Sequence, residues 1–166
     1  LSGTMKLARK NCPLNILKNI VICAALLHDA GKLSEEFLDY MKDIRKNGEA
    51  AQRRMLDHTS GGGRILDDLI GQKCITEFIG AVIYSHHGLQ DNIDMESGIS
   101  LFEKRREKEI DFKRIKERFF KMIDRKLLLK HLAAAHIDLQ KILKQIDDFV
   151  QSTGKRDYGN REFYLG

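Results

Sequence analysis

The sequence contains few residues that break helices and few that favour sheets. Its 166 residues include one proline and no tryptophan, and clusters of β-branched residues are rare. This composition favours an all-α fold. With 42% hydrophobic residues, the chain is long enough for one domain with a buried core. None of its apolar runs has the length of a membrane span.

Cysteine is also scarce, and its spacing excludes two classes of site. Cys12, Cys23 and Cys74 are widely separated and form no CxxC pair, so neither a zinc knuckle nor a disulfide framework is expected. This pattern is typical of the reducing cytosol, and we therefore expect a cytoplasmic protein. The formal net charge of +5 is compatible with nucleic-acid binding but does not require it.

Hydrophobic periodicity predicts a series of helices separated by short breaks. Pro13 breaks the chain before a strongly apolar helix, and Ser34 is a favourable N-cap for the next one. The region from Gly88 to Ser100 is rich in Asp, Asn, Ser and Gly, which predicts a loop. The predicted helices cover 1–11, 14–30, 34–47, a segment through 65–70 that is interrupted at Gly71, 75–87, 111–122 and 124–150.

The main candidate for a functional site is His28-Asp29-Ala30-Gly31-Lys32, which follows the apolar run 20–27. A helix this apolar is expected to be buried, so His28 and Asp29 should reach the protein interior. A buried carboxylate is costly unless it is paired or bound to a metal. Gly31 is predicted to end the helix in a left-handed conformation, with Lys32 at the rim of the site.

Three further histidines stand at predicted helix ends. His58 opens the segment His58-Thr59-Ser60-Gly61-Gly62-Gly63, and His86-His87-Gly88 follows the apolar stretch 78–84. Any one of these histidines alone is more often an ordinary polar residue. The ordered set favours metal binding instead. Imidazole and carboxylate groups without thiolates favour Mn, Fe, Co or Ni, with Mg²⁺ also compatible.

These motifs resemble the HD superfamily of metal-dependent phosphohydrolases. The segments 28–32, 58–60 and Ser85-His86-His87-Gly88-Leu89 are most similar to the HD nuclease domain of the CRISPR-associated helicase-nuclease of type I systems. The resemblance extends along nearly the whole chain. It implies that the all-α fold is an HD-domain helical bundle.

The resemblance also implies two divalent metal ions that share Asp29 as a bridging ligand. One ion would bind Asp29, His58, His86 and His87. The other would bind His28 and Asp29, together with an N-terminal histidine and a late aspartate that this sequence does not contain.

Both ends of the chain match family segments that lie next to those two missing ligands. Residues 1–5 resemble the segment that follows the N-terminal histidine, and residues 161–166 resemble the segment that leads into the aspartate helix. We therefore expect residues 1–166 to form a single HD nuclease domain that is truncated at both ends. Such a fragment should hold one metal well and the other poorly.

The function implied by the resemblance is metal-dependent hydrolysis of single-stranded DNA in CRISPR type I antiviral interference. Asp29 and Lys32 are the candidate catalytic residues, and Lys32 would bind the phosphate or donate a proton unless it is simply a solvated lysine. The implied partners are single-stranded DNA, a helicase in the same chain or in a separate subunit, and a guide-RNA surveillance complex. The alternatives are an HD-family nucleotide phosphohydrolase and a non-catalytic HD docking domain.

Three remaining features have ordinary explanations that we favour. The Gly61-Gly62-Gly63 triplet can allow close helix packing, whereas a phosphate contact lacks a supporting P-loop pattern. Between 101 and 130 the net charge is +6, which is typical of a solvated face, although it could also guide a DNA strand. His131 and His136 are expected to be ordinary helix residues.

Overall fold

The computed structural model of the chain describes residues 2–47, 58–71, 73–86, 98 and 100–152. These residues form eight α-helices and two short 3-10 turns, with no strand among them, which confirms the all-α fold. No helix in this part of the chain has both the length and the hydropathy needed to cross a membrane. The helices are α1 (Ser2–Asn11), α2 (Lys18–Leu27), α3 (Glu35–Asn47), α4 (Ser60–Ile70), α5 (Cys74–Tyr84), α6 (Leu101–Arg106), α7 (Phe112–Met122) and α8 (Arg125–Ser152).

Helix α2 is the centre of the core, as its apolar sequence predicts. It packs against α1, α4, α5 and α8, and its buried residues are Ile20, Ile22, Cys23, Ala24, Leu26 and Leu27. Burying a leucine or isoleucine side chain contributes about 1.5–3 kcal/mol, so this packing fixes the end of α2 firmly in the fold. Cys12, Cys23 and Cys74 are free thiols.

The end of α2 differs from the prediction of one helix over 14–30. A 3-10 turn covers Asn15–Leu17, the α-helix ends at Leu27, and a second 3-10 turn follows at Ala30–Leu33. We call this second turn the Lys32 turn. Gly31 lies within it and does not adopt a left-handed conformation, so the predicted reason for this glycine was wrong.

Gly31 is instead required by a close approach between two backbones. A Cβ atom built on Gly31 would collide with the carbonyl oxygen of His58. The glycine triplet of α4 extends this contact, since a Cβ on Gly61 would lie 2.7 Å from the Cα of Gly31 and one on Gly62 would collide with the carbonyl of Leu27. The packing interpretation of the triplet is therefore supported.

Most other helices lie where the sequence predicts them, with local differences. The Ser34 hydroxyl accepts a hydrogen bond from the Phe37 amide at 3.2 Å, as expected for an N-cap. Helix α5 ends at Tyr84, before the predicted end at His87, and α6 was not predicted because six residues give too little periodicity. Most of the predicted loop from Gly88 to Ser100 is outside the described residues, and the predicted truncation of the domain stays a prediction.

The two late histidines are helix residues, as predicted. His131 is buried on α8, and its Nδ1 lies 3.1 Å from Oδ1 of Asn19. His136 is exposed on the same helix, where its Nε2 lies 3.1 Å from Nε2 of Gln140.

We predict that Gly62→Ala destabilises the fold, because its new methyl group would collide with the backbone of α2. The expected loss is about 1–3 kcal/mol in the free energy of unfolding, which denaturant titration measures. Gly3→Ala is the matched control, since a Cβ at Gly3 meets nothing within 4 Å. It should stabilise α1 by about 0.5–1 kcal/mol. Equal stability of Gly62→Ala and the wild type would contradict the close-packing interpretation.

Candidate metal centre

Three helix ends bring the predicted ligands together. Asp29 and His28 follow α2, His58 precedes α4, and His86 follows α5. Because the glycines let α4 approach the end of α2 closely, His58 lies beside Asp29 although 29 positions separate them in the sequence. One possible ligand atom from each of Asp29, His58 and His86 lies within 4.8 Å of the other two.

The two carboxylate oxygens of Asp29 face different histidines. Its Oδ1 lies 3.7 Å from Nε2 of His58 and 3.8 Å from Nε2 of His86. Its Oδ2 lies 3.2 Å from Nε2 of His28. The three rings are neighbours, since the His86 ring meets the His28 ring edge-on at 5.1 Å and the His58 ring at 5.6 Å between centroids, and the two carboxylate oxygens are directed to different members of this cluster.

Backbone carbonyls orient two of the imidazole rings. Nδ1 of His28 donates to the carbonyl of Ala25 at 3.0 Å, and Nδ1 of His86 donates to the carbonyl of Ile83 at 2.6 Å. Both carbonyls belong to the last turn of a helix, where no further backbone amide is available to them. A carbonyl oxygen can only accept, so we assign the hydrogen to Nδ1. In the neutral ring this leaves the lone pair on Nε2, the atom that faces Asp29 and that a metal would require.

The site is sheltered on one side and open on the other. The side chains of His58 and His86 are 13% and 15% exposed, whereas Asp29 and Lys32 are 40% and 37% exposed. The ring of Phe37, from α3, meets the His58 ring edge-on with 5.6 Å between the centroids. Asp29 is less buried than the sequence predicts, and its exposed side leaves room for a substrate.

The electrostatics of the site favour an ionised carboxylate. Partial burial raises the pKa of Asp29, but contact with the Lys32 ammonium group lowers it, and so does each positive charge that His28 or His58 carries when protonated. The net pKa lies below its ordinary value. Asp29 is therefore negatively charged at neutral pH, which is the form that binds a cation.

Lys32 is not simply a solvated lysine. Its Nζ lies 2.7 Å from Oδ1 of Asp29, the same oxygen that faces His58 and His86. A divalent ion at that oxygen would compete with the ammonium group. Lys32 thus lies at the open edge of the candidate centre, where it can bind an anion once Asp29 has another partner.

Sequence reasoning identified most of this site but not all of it. The structure brings Asp29, His58 and His86 together, with His28 and Lys32 beside them, while His87 is outside the described residues and its role stays a prediction. Sequence reasoning did not identify Phe37 as part of the site, because an apolar residue on α3 gives no signal beyond core packing.

The donor set fits a divalent first-row metal ion. Two imidazole nitrogens and a carboxylate oxygen converge, and no thiolate is among them. Such a set suits Mn, Fe, Co or Ni better than it suits metals that prefer sulfur.

Comparison with known protein families gives one match. The sequence model of the family described as Cas3, HD domain, matches residues 3–153. The comparisons with curated proteins and with solved structures each found no match.

We predict that His86→Ala weakens Mn²⁺ binding at least about tenfold, since removing even an outer-shell partner of a metal ligand typically costs that much. Isothermal titration calorimetry measures the affinity. His136→Ala removes an exposed histidine of α8 and should bind Mn²⁺ as the wild type does. Equal affinity of the His86→Ala and wild-type proteins would remove His86 from the site.

Proposed function

Because the chain belongs to the Cas3 HD-domain family, we propose that it is a metal-dependent nuclease that hydrolyses phosphodiester bonds of single-stranded DNA. The family relationship makes it a CRISPR-associated, nuclease-type HD domain. The geometry around Asp29 supports the more specific proposal of two metal ions.

The observation that carries this proposal is that the two oxygens of the Asp29 carboxylate face different histidines of one cluster. Oδ1 faces His58 and His86, while Oδ2 faces His28. A carboxylate in this position can bind one cation through each oxygen and reduce the repulsion between them. We propose that Asp29, His58, His86 and His87 would hold one ion, and that Asp29 and His28 would contribute to the second. Ions held there would supply an activated water molecule and charge stabilisation for the phosphodiester displacement.

Lys32 has a defined task in this proposal. Its ammonium group neutralises Asp29 when no metal is bound, and it binds a phosphate oxygen of the substrate when the metal occupies Oδ1. Charge stabilisation of this kind, in a site that is partly screened from water, is a large contribution to catalysis. It also explains why the lysine lies on the exposed side of the carboxylate.

The exposure of the site is compatible with a polymer substrate, because the side chains of Asp29 and Lys32 are 40% and 37% exposed. A cavity of about 530 Å³ lies between α1 and α2, but its lining is mainly apolar and does not include Asp29, His58 or His86. A nucleotide phosphohydrolase would need an enclosed pocket, and a docking domain would not need the metal-compatible histidine tautomers.

The basic region from 101 to 130 is used partly for internal ion pairs. Arg106 contacts Asp67 at 2.9 Å and Lys116 contacts Asp68 at 2.7 Å, so these charges stabilise the packing of α6 and α7 on α4. This supports a largely structural interpretation of the region. A helicase and a guide-RNA surveillance complex remain proposed partners.

We predict that Asp29→Asn abolishes Mn²⁺-dependent cleavage of circular single-stranded DNA while the fold is retained. The amide keeps the shape of the side chain but removes the charge that both cations would share. Gel assays of cleavage and circular dichroism measure the two effects, with His136→Ala as the active control. A folded Asp29→Asn protein that cleaves as fast as the wild type would refute the proposed function. Cleavage of nucleotides without cleavage of DNA would favour the phosphohydrolase alternative.

We predict opposite effects of Lys32→Met on metal affinity and on catalysis. Removing the competing ammonium group should tighten Mn²⁺ binding by about twofold to fivefold, the worth of a partly exposed ion pair. The rate of single-turnover DNA cleavage should fall by about a hundredfold, since a charge that stabilises the transition state is lost.

The matched control for this variant is Lys42→Met. Lys42 forms the same type of ion pair, three positions after Asp39 and at the same distance of 2.7 Å, on α3. Lys42→Met should change neither the Mn²⁺ affinity nor the rate of single-turnover DNA cleavage. Weaker Mn²⁺ binding by Lys32→Met would contradict the competition between the lysine and the metal.

A further inference from the structure

One arginine of α7 contacts the last residue of the Lys32 turn. Nη1 of Arg118 donates to the carbonyl of Leu33 at 2.7 Å, and its Nη2 contacts Oε2 of Glu35 at 2.5 Å. Leu33 is the last residue of the turn and Glu35 is the first residue of α3. The planar guanidinium group therefore bridges the junction between the two elements.

The contact satisfies a carbonyl that the turn itself leaves without a partner. The last carbonyls of a helical turn need hydrogen-bond donors from outside the turn, and a charged donor makes a strong bond. The same contact affects Glu35, because the hydrogen bond and the charge of Arg118 hold the pKa of the Glu35 carboxyl group below its ordinary value. Arg118 is thus bound to the junction through two hydrogen bonds at once.

The Lys32 turn is the element that carries the open edge of the candidate centre. It begins directly after Asp29, and the amide of Lys32 donates to the carbonyl of Asp29 at 3.0 Å. Gly31 of the turn lies against the backbone of His58, and Arg118 fixes the last residue of the turn. The turn is held between α4 and α7, so its position depends on both contacts.

We propose that Arg118 is a positioning residue, which sets the Lys32 turn so that the Asp29 carboxylate meets the histidines at metal-binding distance. The inference builds on the proposed metal site and concerns a residue that acts on it through Leu33 and Glu35. Arginine suits this position because its planar guanidinium group presents two nitrogens at a fixed spacing, one to Leu33 and one to Glu35. A lysine would supply the charge but only a single ammonium group.

The chain offers a matched control on the same helix. Lys116 of α7 pairs with Asp68 of α4 at 2.7 Å, and its side chain is 32% exposed, against 30% for Arg118. Both residues connect α7 to the rest of the fold through an ion pair. Arg114 of α7 also contacts Glu35, at 3.2 Å, but Arg118 is the one of these described residues that donates to Leu33 of the Lys32 turn. Comparing Arg118 with Lys116 therefore separates an effect on the turn from a general loss of helix packing.

The first experiment compares Mn²⁺ affinity by calorimetry in the wild type, Arg118→Lys and Lys116→Met. Arg118→Lys should weaken binding about tenfold, the size of effect that outer-shell residues have on metal sites. Lys116→Met should bind as the wild type does, and thermal unfolding should show all three proteins folded at the assay temperature. Unchanged affinity in Arg118→Lys, or an equal loss in Lys116→Met, would overturn the inference.

A second measurement does not depend on metal. Hydrogen–deuterium exchange of the amides of Lys32 and Ser34 should be at least several-fold faster in Arg118→Lys than in Lys116→Met, because these amides hold the turn together. Unchanged exchange would overturn the role of Arg118 whether or not metal binds. If the wild type binds no Mn²⁺ but the exchange difference is present, the proposed function fails while the positioning of the turn by Arg118 stands.

Discussion

The arrangement of the site depends on a contact between two backbones that leaves no room for a side chain. Gly31 of the Lys32 turn lies against His58, and the glycines of α4 continue the contact along the end of α2. A methyl group at this interface would push the two elements apart, and protein interiors absorb such a change poorly. Metal ligands tolerate deviations of only about 0.2 Å, so the close approach decides whether His58 and Asp29 can share a cation.

The helix ends supply more than positions for the ligands. α2 and α5 both point their C-terminal ends toward the centre, where the partial negative charge of a helix favours a cation. The same ends provide the carbonyls that hold the His28 and His86 rings through Nδ1. These two C-terminal ends, the ring tautomer and the lowered pKa of Asp29 act in the same direction, whereas the N-terminal end of α4 beside His58 opposes them. The arrangement suits a cation before any is bound.

Much of this architecture could be predicted from local patterns. Neighbouring residues in the sequence are enough to predict the apolar run of α2, the N-cap at Ser34 and the order of the histidines. The family match agrees with these predictions. Gly31 was identified as structurally important, but the predicted left-handed conformation was wrong. A glycine needed for a left-handed turn and one needed for close packing look identical in sequence. Arg118 could not be recognised at all, because its partners are more than 80 positions away. The ligand roles themselves remain predictions from family order.

Placing the candidate ligands Asp29, His58 and His86 at helix termini has a consequence for how such a domain can diverge. The packed helices and the Lys32 turn hold these residues together, so a connection outside them can gain length without moving the candidate ligands. Doubling the length of a flexible connection costs only about 0.6 kcal/mol in loop-closure entropy. Insertions outside the turn and the packed helices can therefore accumulate and acquire new contacts while the arrangement around Asp29 is left intact.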